Sequence, residues 1–145
     1  MANTSYSFLD LAGVIVHPSL GIYTFTGEGV GSVAVAMATE KVSQEVAADG
    51  SVMSSWVAGD NGTITISCQQ TSPVHKWLLN WYNYIKFAST NEKFAGSGTI
   101  RNTQDGTSHV FTGAAPGKIP DKQYQAQGQQ VAWVLNCADI QSVTA

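Results

Sequence analysis

The stretch "TSPVHKWLLNWYNYIKF", residues 71–87, reads as a helix in a chain whose other segments alternate like strands. Ser72 suits the N-cap position, where its oxygen can accept from a free backbone N–H. Pro73 follows at the first helical position, where a missing N–H costs nothing. Val74, Trp77, Leu78, Trp81, Tyr82 and Ile85 recur at the i, i+3, i+4 spacing of one helix face. His75, Lys76, Asn80, Asn83 and Lys86 fall off that face. A stripe so rich in aromatics is expected to pack on a sheet and cover core that strands alone would leave wet.

Immediately upstream, "TITISCQQ" (63–70) is the clearest strand. Ile64, Ile66 and Cys68 face one side; Thr63, Thr65, Ser67 and Gln69 face the other. Before it, "SVAVAMATEKVSQEVA" (32–47) alternates, with Thr39, Lys41, Ser43 and Glu45 on one face and Val42 and Val46 on the other. Asp49-Gly50 is a hairpin signal leading into a partner strand, "SVMSSWVA" (51–58), and the run Gly59 to Gly62 is a turn. Residues 6–17 read as a first strand, and the Gly-rich 18–31 as a long hairpin or an exposed loop.

Downstream, residues 89–98 read as a loop, and "GTIRNT" with "SHVFTG" as a hairpin around Asp105-Gly106. A Pro- and Gln-rich connector leads to "QQVAWVLNCADI" (129–140), apolar on both faces and expected to be central. The predicted fold is mainly β, an antiparallel β-sandwich or partly closed barrel of roughly seven or eight strands with one flanking helix. Residues 1–145 suit one domain.

Charged residues make up 12% of the chain, about half the usual ~25%. A surface so poor in charge is weakly protected against association, which suits a protein covered by copies of itself. Net charge is −3, and the seven Lys and Arg are scattered, so the dense basic patch that grips nucleic acid is missing. The amino-terminal stretch lacks a basic region and a cleavage pattern and reads as mature sequence. No apolar run approaches the ~20 residues of a membrane span. Cys68 and Cys137 are expected to be buried free thiols.

The chemistry-bearing residues form no recognisable set. His17, His75 and His109 have no ligand spacing, and no CxxC or HExxH occurs. Gly27-Glu28-Gly29-Val30-Gly31 lacks the Lys-Ser/Thr of a phosphate loop. Gly96-Ser97-Gly98 lacks the spacing of a nucleophile elbow, and ten scattered acids offer no preferred pair. No enzyme activity, metal or cofactor is expected.

The order of segments carries more. "AADGSVM" closes a strand pair, "GDNGTITISCQQTSP" runs straight into the aromatic helix, "TIRNTQDGT" follows, and "AWVLNCADI" closes the chain; the opening is "NTSYSFLDLAGVIVHPS". Over nearly its full length this order resembles the tail tube proteins of contractile-tailed bacteriophages, whose architecture is shared by type VI secretion tubes. The resemblance implies hexameric rings stacked into a hollow tube within a contractile sheath in the virion, assembled in the host cytoplasm. It implies baseplate, tail terminator and tape-measure proteins as partners, genomic DNA passing through the lumen, and no membrane.

In that setting the 18–31 stretch is expected to reach the next ring through Tyr23, Phe25, Thr26 and Glu28. Two polar faces are candidates for the lumen: Thr39, Lys41, Ser43 and Glu45, or Thr63, Thr65, Ser67 and Gln69. The sequence leaves open which strand face lines it. Asn80, Asn83 and Lys86 are candidates for the outer face. The rival reading is a monomeric β-sandwich module binding carbohydrate or protein. Four Trp and five Tyr favour it; against it, Trp77 and Trp81 lie on the core face of the helix.

Overall fold

The computed structural model describes residues 3–26 and 29–144. A short 3-10 helix, Phe8–Asp10, precedes β1 (Leu11–His17), β2 (Gly21–Phe25), β3 (Val30–Met37), β4 (Val42–Val46), β5 (Val52–Trp56) and β6 (Gly62–Gln69). Then come α1 (Pro73–Ile85), α2 (Thr90–Lys93), β7 (Gly96–Asn102), β8 (Ser108–Pro116), β9 (Gln130–Cys137) and β10 (Asp139–Val143). Every pairing is antiparallel. Eight strands form one sheet in the order β2-β1-β7-β8-β9-β6-β3, with β10 also on β8, and β4 and β5 pair apart from it. The mainly β, antiparallel architecture with one main helix is as expected. The sheet does not close into a barrel; it ends in two edges, β2 and β3.

The sheet folds over at a corner in β8. The register with β7 passes from Ser97↔Thr112 to Gly96↔Ala114, so Gly113 is an extra, bulged residue. Its φ is 64°, which a residue with a side chain rarely adopts. A Cβ there would also come within 2.7 Å of the Ala138 side chain. Ala138 is the break between β9 and β10, and its N–H donates to the Thr112 carbonyl at 3.1 Å. Before the corner β8 pairs with β7 and β10; after it, Ala115 and Pro116 pair with β9. The sheet thus has a β1 half (β2, β1, β7, β8, β10) and a β9 half (β9, β6, β3).

The inner faces of both halves and α1 enclose the core. Ile15, Ile100, Phe111 and Ile140 come from one half; Ile64, Ile66, Cys68, Val131, Trp133, Leu135 and Cys137 come from the other. The helix adds Val74, Leu78 and Trp81. Each such side chain contributes about 1.5–3 kcal/mol on full burial. Both cysteines are buried free thiols, as expected, and burial pushes the Cys137 thiol up to about 11.

The α1 start matches the sequence reading: Ser72 Oγ accepts from the His75 N–H at 3.3 Å, and Pro73 opens the helix. Four features differ. His75, off the apolar stripe, is buried, because its ring accepts a hydrogen bond from the Trp133 indole at 3.0 Å. The 32–47 alternation is broken between β3 and β4, where the chain leaves the main sheet. The final apolar run is central, yet Ala132, Val134 and Asn136 lie on an open face. Residues 89–98, read as a loop, hold α2 and the first residues of β7. Within 18–31, β2 pairs with β1 from Gly13↔Phe25 to His17↔Gly21, one of the two arrangements the sequence left open.

Candidate assembly surfaces

Every residue of β4 and β5 is exposed, which is unusual for strands carrying this much apolar area. The register Val42↔Trp56, Gln44↔Ser54, Val46↔Val52 puts four large apolar side chains on one face of the hairpin. Ser43, Glu45, Met53 and Ser55 take the other face. Trp56 is 69% exposed and Val46 67%. The tip is a tight turn in which Gly50 has φ 89° and Asp49 accepts from the Ser51 N–H at 3.0 Å. The Ser51 hydrogen bonds hold the Asp49 carboxyl below its usual range.

At the base, Lys41 pairs with Asp60 and lies over the Trp56 ring, 5.6 Å from its centroid. Lys41 likewise holds the Asp60 carboxyl below its usual range. Thr39 Oγ1 donates to Asn61 Oδ1 at 2.7 Å, and the Val57 N–H donates to the Lys41 carbonyl at 2.8 Å. The arm is therefore fixed where it leaves the body and bare beyond that point. Sequence reading found the Asp49-Gly50 turn and its strand pair but did not single out Val42, Val46, Val52, Met53 and Trp56 as a surface. Whether a third strand covers a hairpin is not a local property.

This also corrects the first polar set. Thr39 and Lys41 belong to the link that anchors the arm, while Ser43 and Glu45 lie on the arm itself; the four do not share a sheet face. The second set does come together. Thr63, Thr65, Ser67 and Gln69 stand opposite Asn136, Val134, Ala132 and Gln130 of β9. On the other side Thr63, Thr65 and Ser67 stand opposite Ala36, Ala34 and Ser32 of β3. Among the described residues, this outer face of the β9 half carries no charged side chain. Beside it, a cleft is lined by Gln69, Gln70, Thr71, Gly128, Gln129 and Gln130, amides rather than charges.

The outer face of the β1 half is different in kind. Val14, Val16 and Val110 stand among Ser97, Thr99 and Thr112 along a shallow trough. Ile22 lies beside Val16 at the β2 edge and is 70% exposed.

The proposed inter-ring anchors sit elsewhere than expected. Phe25 is buried in the core against Gly13, so it is not an exposed loop aromatic. Tyr23 is half-buried and stacks on Trp77, with ring centroids 5.5 Å apart. Thr26 is exposed just beyond β2, and Glu28 lies outside the described residues. Asn80, Asn83 and Lys86 are exposed on the open side of α1, Lys86 over the Tyr82 ring at 4.9 Å. Of the four Trp, Trp81 and Trp133 are buried and Trp77 is half-buried, leaving Trp56 as the exposed one. Among the described residues no group of three His, Cys, Asp or Glu could hold a metal ion. Among them, too, no helix is long and apolar enough to cross a membrane.

Solved structures share this fold. A chain from an extracellular contractile injection system, described as the PVC sheath/tube terminator in the extended state, is 11% identical with TM-score 0.69, over 99% of each chain. One from the tube-terminating cap of the anti-feeding prophage is 12% identical with TM-score 0.67, over 100% of this chain and 95% of that one. One from the 6-fold symmetrised baseplate of the same particle is 13% identical with TM-score 0.63, over 99% and 97%. No curated protein sequence matches the chain. A family model described as the bacteriophage PhiTE tail tube protein matches residues 2–144, and the chain belongs to that family.

Proposed function

We propose that this structural tail protein forms a hollow tube of stacked hexameric rings, through which DNA passes inside a contractile sheath. The observation that carries the reading is the bare β4–β5 arm. An apolar hairpin held only at its base is costly in water and is stabilised by burial on another subunit. The two free edges fit a closed ring as well. They lie at opposite ends of one strand order, so the β2 edge of one copy can meet the β3 edge of the next, a head-to-tail contact that closes by rotation. The 6-fold symmetry stated for the anti-feeding prophage baseplate supports six copies.

The uncharged face of β3, β6 and β9 is assigned to the lumen. Hydroxyls, methyls and amides there offer phosphate no counter-charge, so DNA slides without being held. Asn80, Asn83 and Lys86 are assigned to the outer, sheath-side wall. Inter-ring contact passes from Tyr23 and Phe25 to the arm, with Thr26 and Glu28 kept as flanking contacts between β2 and β3. Baseplate, terminator and tape-measure proteins complete the set of partners.

Electron microscopy and sedimentation of the concentrated protein test this. The wild type should form rings or tubes. The double variant Val52→Ser, Trp56→Ser should stay monomeric with an unchanged melting temperature. A wild type that is monomeric in complete tails, where another protein forms the tube, overturns the reading.

A further inference from the structure

We propose that the arm's apolar face docks in the trough on the outer face of the β1 half of a second copy of this chain. The inference rests on the tube reading and names the surface that receives the arm. Two of the apolar surfaces that the fold leaves uncovered are complementary in form, the arm projecting and the trough recessed. The arm offers Val42, Val46, Val52 and Trp56. The trough offers Val14, Val16 and Val110 between threonines, at the centre of a five-strand face.

Size and charge match. A five-residue strand is about 17 Å long, and five strands spaced ~4.8 Å apart span about 19 Å. The trough lining itself has no charged side chain. Lys41, over Trp56 at the base of the arm, is already paired with Asp60, and Arg101 and Asp139 stand at the margins of the same face as the trough, so an arm seated in the trough buries no unpaired ion. The uncharged face of the β9 half is the poorer receptor, since its central rows are Ser, Thr and Ala with little apolar area to cover Trp56.

The contact is also intermolecular by construction. β4 and β5 pair only with each other, and the apolar face of the arm is exposed on its own subunit. A convex patch fitting a pocket elsewhere on the same surface makes a heterologous contact, which repeats from copy to copy. That is the geometry a stacked or ring-shaped polymer needs.

Single cysteines test this directly, because Cys68 and Cys137 are both buried and leave a quiet background. One preparation carries Ser54→Cys, on the arm's apolar face but not one of its apolar side chains, and another Val110→Cys; they are assembled together and treated with a short bis-maleimide. The expected result is a cross-linked dimer that dominates the mixed sample and is missing from either preparation alone. Cross-linking of the arm to Thr65→Cys instead, or to another protein in complete tails, overturns the inference. If a cysteine variant fails to fold or assemble, a charge pair serves. Val110→Lys should abolish assembly, and adding Val46→Glu should restore it; no recovery in a folded double variant also overturns the inference. A wild type that never assembles removes the tube reading and this one together, whereas tubes without the arm-to-trough link remove only this one.

Discussion

The indole N–H of Trp133 donates to Nδ1 of His75 across 3.0 Å, with both side chains buried. This bond joins the first turn of α1 to the central strand β9. Because Nδ1 accepts, the proton of the neutral ring sits on Nε2. The Lys122 ammonium, 3.3 Å from Nε2, then stands beside the ring as a positive charge rather than as a donor to it. Burial first, and Lys122 second, hold the His75 pKa below its ordinary 6.5.

The sign of the pH effect follows. The unfolded chain takes up a proton near pH 6.5, and the folded chain resists it. The contribution is therefore complete above about pH 6.5 and is lost as pH falls from there through the lowered folded value. Urea midpoints should drop between pH 7.5 and pH 5, and His75→Gln should flatten that drop. His75→Ala should cost about 1–3 kcal/mol at pH 7.5, since it orphans the buried Trp133 N–H.

The two helix tryptophans should behave differently. Trp81→Ala removes a fully buried ring and should cost about 3–5 kcal/mol. Trp77 is half-buried and stacked on Tyr23, so Trp77→Ala should cost about 1–3 kcal/mol. Trp81 Nε1 has no partner among the described residues, so Trp81→Phe gives up no hydrogen bond and should be much milder than Trp81→Ala. Thermal melting of the three variants gives the order.

Gly113→Ala should destabilise more than Gly50→Ala. Both glycines have positive φ, so both substitutions are strained by about 1–2 kcal/mol. Only at Gly113 does the new methyl meet a neighbour, Ala138; around Gly50 there is open space. Equal melting temperatures would mean that the corner at β8 relaxes without cost.

Phe25→Ala should cost about 3–5 kcal/mol, because the ring is in the core. Deleting residues 24–28 should accordingly abolish cooperative melting, since Thr24 and Phe25 pair with Val14 and Gly13. A native melt from the deleted protein would show that β2 is dispensable.

The α1 helix was legible in residues 71–87 because its signals are local: a capping serine, a proline at the first position and a 3.6-residue stripe all act within the helix. The β6 alternation was legible for the same reason, and so was the Asp49-Gly50 turn. The uncharged set Thr63, Thr65, Ser67 and Gln69 lies on one face, as its spacing of two required. What the sequence by itself determined was thus the identity of the elements and which residues share a face. Only tertiary structure decided which faces are covered. Phe25 and Tyr23 look like loop aromatics until β2 pairs with β1, and His75 looks solvent-facing until Trp133 reaches it. Val42, Val46, Val52 and Trp56 look like core until the chain leaves the sheet at residue 38 and no third strand meets them. Burial is a property of distant segments brought together, so a strand's pattern states that one face is apolar and not what, or whose, surface will cover it.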